Sequence, residues 1–294
     1  MTTPPPWVDD LFPFPTPPAL AKLIDIAWEH AFTDEDQYDD GVVITHYDFM
    51  FDLACAPLAP KGWEHTYPGP SRGGDFVPLW ATPELIQFGH LGTGICVGWV
   101  IPAPELQGSD HPVALFGHRP AARVIAGDTR AGLEWMLSLG LRKDGLRDDD
   151  RSLIARLAAE LDINPAPEHG VTPDGRDVVV PLELAVPSGW RHVPSTFGVG
   201  FDNGIGVLAP ADAFAEYSLL LRSSKLDEIL TEAARLLDAG YPATALLELT
   251  DAFHEDPDRL PDLHPLWSRA YHDLGRPQYA NRLDLMLATY GPER

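Results

Sequence analysis

The stretch that decides the fold of this chain is Phe88-Gly89-His90-Leu91-Gly92-Thr93-Gly94-Ile95-Cys96-Val97-Gly98-Trp99. Its glycines permit sharp backbone turns, and residues 95–101 are apolar and partly β-branched, as in a buried strand. Glycine-rich loops that bind phosphate lead into the N-terminus of a helix, whereas a strand follows here. The pattern therefore predicts a tight loop that enters a central strand, with glycine serving close packing rather than nucleotide binding.

Helix and strand patterns flank this stretch on both sides. Upstream, Thr16 can cap a helix whose apolar residues recur with a helical period over residues 20–31. Downstream, residues 113–116 and 123–126 have the composition of strands, and a capped apolar helix is predicted over residues 129–139. A helix, several strands and a closing helix together predict an α+β fold.

These features resemble the SUKH superfamily. The residues that carry the resemblance are Phe76-Val77-Pro78, Phe88-Gly89-His90, the Gly92/Gly94 turn, Val97-Gly98-Trp99, Pro112-Val113 and the helix at 129–139. Members are small α+β domains with an N-terminal helix, a curved antiparallel sheet and a closing helix, and many bacterial members are immunity proteins for secreted toxins. The resemblance covers roughly residues 15–145 and implies that fold and a protein-binding role, on a chain longer than one such domain.

The middle of the chain, residues 148–210, combines a helix with hairpin signals. Asp150 can cap a helix that ends before Asn164-Pro165. Pro173-Asp174-Gly175 precedes a predicted strand at 178–184, and Asp202-Asn203-Gly204 separates two Gly/Val-rich stretches, around Val199 and Val207. The sequence leaves open whether these hairpins extend the first domain or stand beside it.

The C-terminal region contains an internal repeat. Gly240-Tyr241-Pro242-Ala243-Thr244-Ala245 recurs 35 residues later as Gly275-Arg276-Pro277-Gln278-Tyr279-Ala280. A period of this length with small residues at helix crossings resembles tetratricopeptide repeats, although Asp284 falls at a usually bulky position. Two units rarely bury a continuous core alone, so we expect them to dock on the rest of the chain, with a helix at 212–221 as a candidate bridge.

Three segments follow from these patterns. Residues 1–147 are predicted to form the SUKH-like α+β domain with a proline-rich N-terminal arm, residues 148–210 the helix and β-hairpin region, and residues 211–294 the helical hairpin repeats.

The charge balance restricts the partners. The chain has 44 acidic and 21 basic residues, a formal net charge of −23, which opposes binding to nucleic acid or to an anionic membrane and attracts a basic partner. Cys55 and Cys96 are far apart in sequence and form no disulfide framework, and no signal peptide or membrane-spanning stretch is evident. We therefore expect a cytoplasmic protein, and the sequence leaves its oligomeric state open.

The candidate site residues are acidic or aromatic residues that we expect to be exposed. The acidic segment around residues 34–40 does not place oxygen ligands where a calcium loop needs them. His90, His111 and His118 lie near predicted strand ends, but their spacing matches no common zinc site, so we expect no metal and no cofactor. The candidate partner contacts are Asp34, Asp36, Asp39, Asp40 and Trp63.

Three functions are consistent with these patterns. The first is a non-catalytic, immunity-type protein that neutralises a basic toxin domain by occluding it, and the second is an adaptor that binds peptides through its helical repeats. The third is a hydrolase, because Gly69-Pro70-Ser71-Arg72-Gly73 satisfies Gly-x-Ser-x-Gly. A nucleophile elbow requires a strand before the serine and a helix directly after it, and neither is predicted here, so we expect no enzyme activity.

Overall fold

A computed structural model describes the chain in separate ranges. They are residues 16–29, 43–46, 49–52, 81–90, 95–106, 108, 110–116, 122–142, 145–146, 148–171, 178, 180–195, 205–216 and 225–290. The α-helices in these ranges are α1 (Pro18–Glu29), α2 (Thr129–Leu141), α3 (Asp148–Leu161), α4 (Leu226–Asp238), α5 (Pro242–Glu255), α6 (Leu260–Asp273) and α7 (Pro277–Tyr290). The strands are β1 (Val43–His46), β2 (Phe49–Asp52), β3 (Leu85–His90), β4 (Cys96–Val100), β5 (Val113–Phe116), β6 (Arg123–Ala126), β7 (Trp190–Val193) and β8 (Val207–Pro210). The protein is thus a mixed α and β fold with C-terminal helical hairpins.

Strands β1 to β6 form one antiparallel sheet in chain order. The strands predicted at 113–116 and 123–126 are confirmed, and β4 lies within the predicted central strand. On β4, Val97 and Trp99 belong to the core on one face of the sheet, whereas Cys96 and Val100 belong to the core on the other. This alternation is the expected consequence of the two-residue period of a strand.

Gly98, in the stretch that decides the fold, lies where strand β4 packs closely against β3. A Cβ atom at this position would lie 2.3 Å from the carbonyl oxygen of Ile86 on β3. Only glycine therefore lets β3 and β4 approach as they do.

The two faces of the sheet are covered by different parts of the chain. Helices α1, α2 and α3 pack together over the first face, and that core continues without a break into the C-terminal helices. The second face packs against Val180 and Leu182, which are partly buried, and against Ile205. Segments from the middle of the chain therefore complete the burial of this sheet.

Helix α2 also fastens the segment that follows α3. Residues 130, 134 and 138 of α2 and its C-cap, Arg142, are four apart and form one stripe, as the helical period requires. Their contacts are Arg130 with Asp162 (2.9 Å), Glu134 with His169 (3.4 Å), Ser138 with the N–H of Ala166 (3.1 Å) and Arg142 with the carbonyl of Pro167 (2.9 Å). This stripe keeps residues 162–169 against α2.

The C-terminal helices form two hairpins with the same turn geometry. Gly240 and Gly275 have positive φ angles of 84° and 74°. The N–H of Tyr241 donates to the carbonyl of Leu236, and the N–H of Arg276 donates in the same way to that of Tyr271. The predicted repeat is thus confirmed as two helical hairpins. Asp284 does not disturb the packing of α6 on α7, because it lies at the surface and pairs with His264 at 2.8 Å.

Two predicted helix boundaries are wrong. Helix α3 begins at Asp148, so Asp150 lies inside the helix instead of capping it, and acidic residues in a first turn suit the helix dipole. A short 3₁₀ turn (Ala211–Ala213) replaces the start of the helix predicted at 212–221, and residues 214–216 are not helical. There the N–H of Ala215 donates to the side chain of Thr244 instead of to a helix carbonyl.

The predicted hairpins differ from the structure in one strand. Residues 178 and 180–184 form no strand. Val180 donates its N–H to the carbonyl of Val124 on the edge strand β6 (3.3 Å), and Pro181, which has no N–H, cannot continue such pairing. Strand β8 is confirmed around Val207 and pairs antiparallel with β7, whereas the stretch around Val199 lies outside the described residues.

Candidate functional site

The sequence-predicted contact residues lie outside the described ranges. These residues are Asp34, Asp36, Asp39, Asp40 and Trp63, and the same holds for Ser71, His118 and the proline-rich arm up to residue 15. Their role as partner contacts therefore stays a prediction.

Of the histidines weighed for metal, His111 lies in a buried structural network. Asp110 accepts hydrogen bonds from the backbone N–H of His111 (2.8 Å) and of Thr129 (3.0 Å), and Thr129 accepts one from the indole of Trp99 (2.8 Å). Burial lowers the pKa of His111, and the nearby Asp110 opposes this. Within the described ranges, no group of three or more His, Cys, Asp or Glu side chains is arranged to hold a metal ion.

A buried polar junction joins the C-terminal helices to the sheet. We define this junction as Glu84, Glu105, Tyr271, Arg276, Tyr279 and Arg282. Glu84 lies just before β3, is 4% exposed, and accepts a hydrogen bond of 2.5 Å from the Tyr271 hydroxyl at the end of α6. Burial raises the pKa of Glu84, and the Tyr271 hydrogen bond acts in the opposite direction. A buried carboxyl group is costly unless it is hydrogen-bonded, so Glu84 requires α6 in place.

Arg276 is the second anchor of the junction. It lies in the turn between α6 and α7, and its surface is 0% exposed. Its guanidinium binds both carboxylate oxygens of Glu105 and also donates to the carbonyls of Pro102 (2.8 Å) and Leu208 (2.5 Å). One side chain therefore ties the helical turn to the loop after β4 and to β8.

Equivalent positions of the two repeats make the remaining contacts. Tyr279 on α7 donates its hydroxyl to the carbonyl of Ile101, and the equivalent Thr244 on α5 accepts from the N–H of Ala215 at 2.9 Å. Arg282, one helical turn after Tyr279, donates to the carbonyl of Leu85 (2.9 Å). The second helix of each hairpin thus faces the rest of the chain.

The exposed side of the first helices, α4 and α6, is the candidate interface for a partner. We define this outer face as six carboxylate residues and three cationic residues. They are Asp227, Glu228, Glu232, Asp238, Asp262 and Asp273 with Lys225, Arg235 and Arg269.

Each cation on the outer face already has a carboxylate partner. Arg235 pairs with Glu232 (2.6 Å), Lys225 with Glu228 (3.0 Å), and Arg269 with both Asp238 (2.9 Å) and Asp273 (3.5 Å). Because six carboxylates stand against three cations, the outer face keeps an excess of negative charge. The Arg269–Asp238 pair also joins α6 to α4, so the face spans both hairpins.

The thiol of Cys96 is a poor nucleophile. Cys96 is fully buried in the sheet, and burial raises its pKa to about 12. The thiolate, which is the nucleophilic form, is therefore scarce at neutral pH.

Comparison of the sequence with models of known protein families and with curated proteins found no match. Within the described ranges, no helix has both the length and the hydropathy that crossing a bilayer requires.

None of the sequence predictions includes the junction. The repeat alignment contained its strongest signal, because Arg276 and Tyr279 replace Tyr241 and Thr244 of the first unit. Arginine at a helix turn that is expected to be buried requires several acceptors, so it indicates a docked rather than a free turn. The acceptors of Arg276 lie on strands and loops up to 174 residues away in sequence. The residues around Arg276 therefore do not indicate which groups it binds.

Proposed function

We propose that this chain is a non-catalytic protein that binds a basic protein partner, of the immunity type, and that it neutralises a basic toxin domain by occluding it. The observation that carries the proposal is the outer face, where every cation is already paired and carboxylates remain in excess. The formal net charge of −23 acts in the same direction over the whole chain. The resemblance of residues 15–145 to the SUKH superfamily supplies the immunity role.

Charge of this kind acts mainly on the rate of encounter. Complementary charges steer diffusing partners together, and the effect falls as salt screens exposed groups beyond about 10 Å at ~0.1 M. Aromatic side chains that lose water on contact then supply the lasting affinity, and Trp63 is our candidate for that role. We place the protein in the cytoplasm, where it would meet a toxin domain that has entered the cell.

The first experiment identifies the partner by salt-dependent capture. The intact protein is used as bait in a lysate of its native host at ~0.05 M and ~0.5 M salt, and bound proteins are identified by mass. One stoichiometric basic protein that is lost at high salt supports the proposal. A neutral or acidic partner whose binding is insensitive to salt contradicts it.

Charge reversal then locates the contact. We expect Asp227→Lys with Asp262→Lys to slow association with that partner by about tenfold or more at low salt, as measured by stopped flow. The matched control is Glu168→Lys with Glu183→Lys, which changes the net charge equally at exposed positions away from the outer face. Equal slowing by both pairs would show that only net charge matters and would remove the outer face from the proposal.

An adaptor function is the second candidate, and the docking geometry favours it. The second helices of both hairpins face the rest of the chain, so the first helices, which carry the outer face, remain available for a peptide. The kind of partner that the outer face binds separates the two functions. Salt-sensitive binding of one folded basic domain supports occlusion, whereas equally tight binding of an isolated basic peptide from the partner supports the adaptor. Asp36→Lys with Asp39→Lys and Asp40→Lys tests whether the N-terminal acidic segment also takes part, and an unchanged association rate at low salt would remove that segment from the proposal.

Deletion of residues 225–294 is not a suitable test. It would remove Tyr271 and Arg276, and so leave Glu84 buried without its hydroxyl donor or exposed in a disrupted strand. Point substitutions on the outer face avoid that damage.

A further inference from the structure

Helix α5 presents three polar side chains in a row towards the β7–β8 hairpin. They are Thr244, Glu248 and Asp251, whose spacing places them on one helix face. Thr244 accepts the N–H of Ala215, just after the hairpin, at 2.9 Å, and Asp251 accepts the hydroxyl of Ser195, just after β7. The outer two members of the row therefore fasten the segments that follow both strands of the hairpin to α5.

Glu248, the middle member, has no such contact. Its residue surface is 7% exposed, and none of the described hydrogen bonds or ion pairs involves its carboxyl group. The repeat shows how unusual the position is, because the equivalent residue of the second unit is Leu283, which is fully buried, and the equivalent of Asp251 is Met286. The first unit thus has carboxyl groups where the second has apolar core residues.

We propose that Glu248 is a proton-operated latch between the β7–β8 hairpin and the α4–α5 helical hairpin. When protonated, its neutral carboxyl packs between the two fastenings. When ionised, it repels Asp251 and Glu232, and this repulsion loosens the hold of α5 on the segments that follow β7 and β8.

The charges around Glu248 set the direction of the effect. Burial, then the charges of Asp251 on α5 and Glu232 on α4, raise the pKa of Glu248 to about 7. Because this pKa is raised above the unfolded value, the neutral form stabilises the closed arrangement fully below about pH 4.5. That stabilisation is lost as the pH rises through about 7.

Other charged groups on the elements packed against α5 already have partners. On α6, Arg269 pairs with Asp238 and Asp273, and in the turn before α6, Arg259 pairs with Asp256. On α4, Arg235 binds both carboxylate oxygens of Glu232. On β7, Arg191 lies over the ring of Phe214, and His192 contacts the carbonyl of Ile205 at 2.8 Å. His254 on α5 is buried, and burial lowers its pKa to about 4, so it is neutral where Glu248 titrates. Asp212, in the 3₁₀ turn after β8, is exposed and acidic, so it cannot offset the negative charge of Glu248.

The test compares amide hydrogen exchange of the wild type and of Glu248→Gln in the intact chain. The reporters are the N–H groups of Val207, Leu208, Ala209 and Ala215. We expect these amides to open about tenfold more often in the wild type than in the variant at pH 8, and equally often at pH 5. Comparing the two proteins at one pH cancels the intrinsic pH dependence of exchange and the contribution of Glu84, which both proteins share.

Two further variants keep the test decisive. Glu248→Leu, which copies Leu283 of the second unit, is expected to protect the same amides at pH 8 as Glu248→Gln does. Glu168→Gln removes an exposed carboxylate outside both the row and the outer face and should behave as the wild type. A wild-type to Glu248→Gln ratio that does not change between pH 5 and pH 8 overturns the latch, and so does a Glu248 carboxyl that titrates near 4.5 by NMR.

Discussion

Glu84 links distant parts of the chain through one hydrogen bond. Its carboxyl group is buried before β3 and receives the hydroxyl of Tyr271, which is 187 residues away in sequence. Acidic side chains are almost never fully buried unless they are paired. Because Tyr271 lies on α6, the chain at the start of β3 can be buried at low cost only when α6 is docked correctly.

Tyrosine substitutions test the junction at single hydroxyl groups. Tyr271→Phe removes the donor to a buried carboxyl group, and we expect the free energy of unfolding to fall by about 1–3 kcal/mol. Tyr279→Phe is the matched control, because its hydroxyl donates to the uncharged carbonyl of Ile101 and should matter less, by about 0.5–1.5 kcal/mol. Urea unfolding of both variants provides the comparison. A smaller loss for Tyr271→Phe than for Tyr279→Phe would contradict the importance given to Glu84.

The helical hairpins depend on two turns that only glycine satisfies without strain. Gly240 and Gly275 have positive φ angles, and a Cβ atom at either position would meet nothing within 4 Å. The cost of Gly240→Ala or Gly275→Ala is therefore purely one of backbone conformation, about 1 kcal/mol in each hairpin. Gly127→Ala is the control, since its Cβ also meets nothing and its φ is not positive. Thermal unfolding that shows the same loss for Gly127→Ala would refute this explanation.

Elements with a strong local signal were predictable from the sequence. The strands at 113–116 and 123–126 and the central strand were recognised from composition and flanking turns, and α2 from its capping residue. The two helical hairpins were predictable because the same pattern of turn and small residues occurs twice in the sequence. For the strands and α2 this information lies within a few residues of the element, and for the hairpins it lies in the 35-residue repeat.

The elements that were missed depend on distant contacts. The predicted strand at 178–184 has apolar β-branched residues, but Pro181 interrupts pairing with the sheet edge at Val124. The helix expected at 212–221 does not form over residues 214–216, where Ala215 bonds to Thr244 on α5. No pattern around Glu248 indicated that this carboxyl is buried, because its cover comes from other elements. Local propensity was overridden by tertiary packing at these positions.

At the scale of the whole molecule, the helical hairpins belong to the same core as the sheet. The apolar cluster on the first face of the sheet continues into α4, α5, α6 and α7 without a break. The junction adds hydrogen bonds from α6, α7 and their connecting turn to β8 and to the end of the β3–β4 pair where β3 begins and β4 ends. The outer face is therefore held in a fixed position relative to the sheet.

Native-state hydrogen exchange tests this integration most directly. We expect the slowest amides of β4 and of α6 to exchange with the same free energy of opening, and Tyr271→Phe to lower both by the same amount, because one cooperative unit opens as a whole. A much lower free energy of opening for α6 and α7 than for β4 would contradict a single cooperative unit. So would a Tyr271→Phe variant that destabilises the helices and leaves the sheet unchanged.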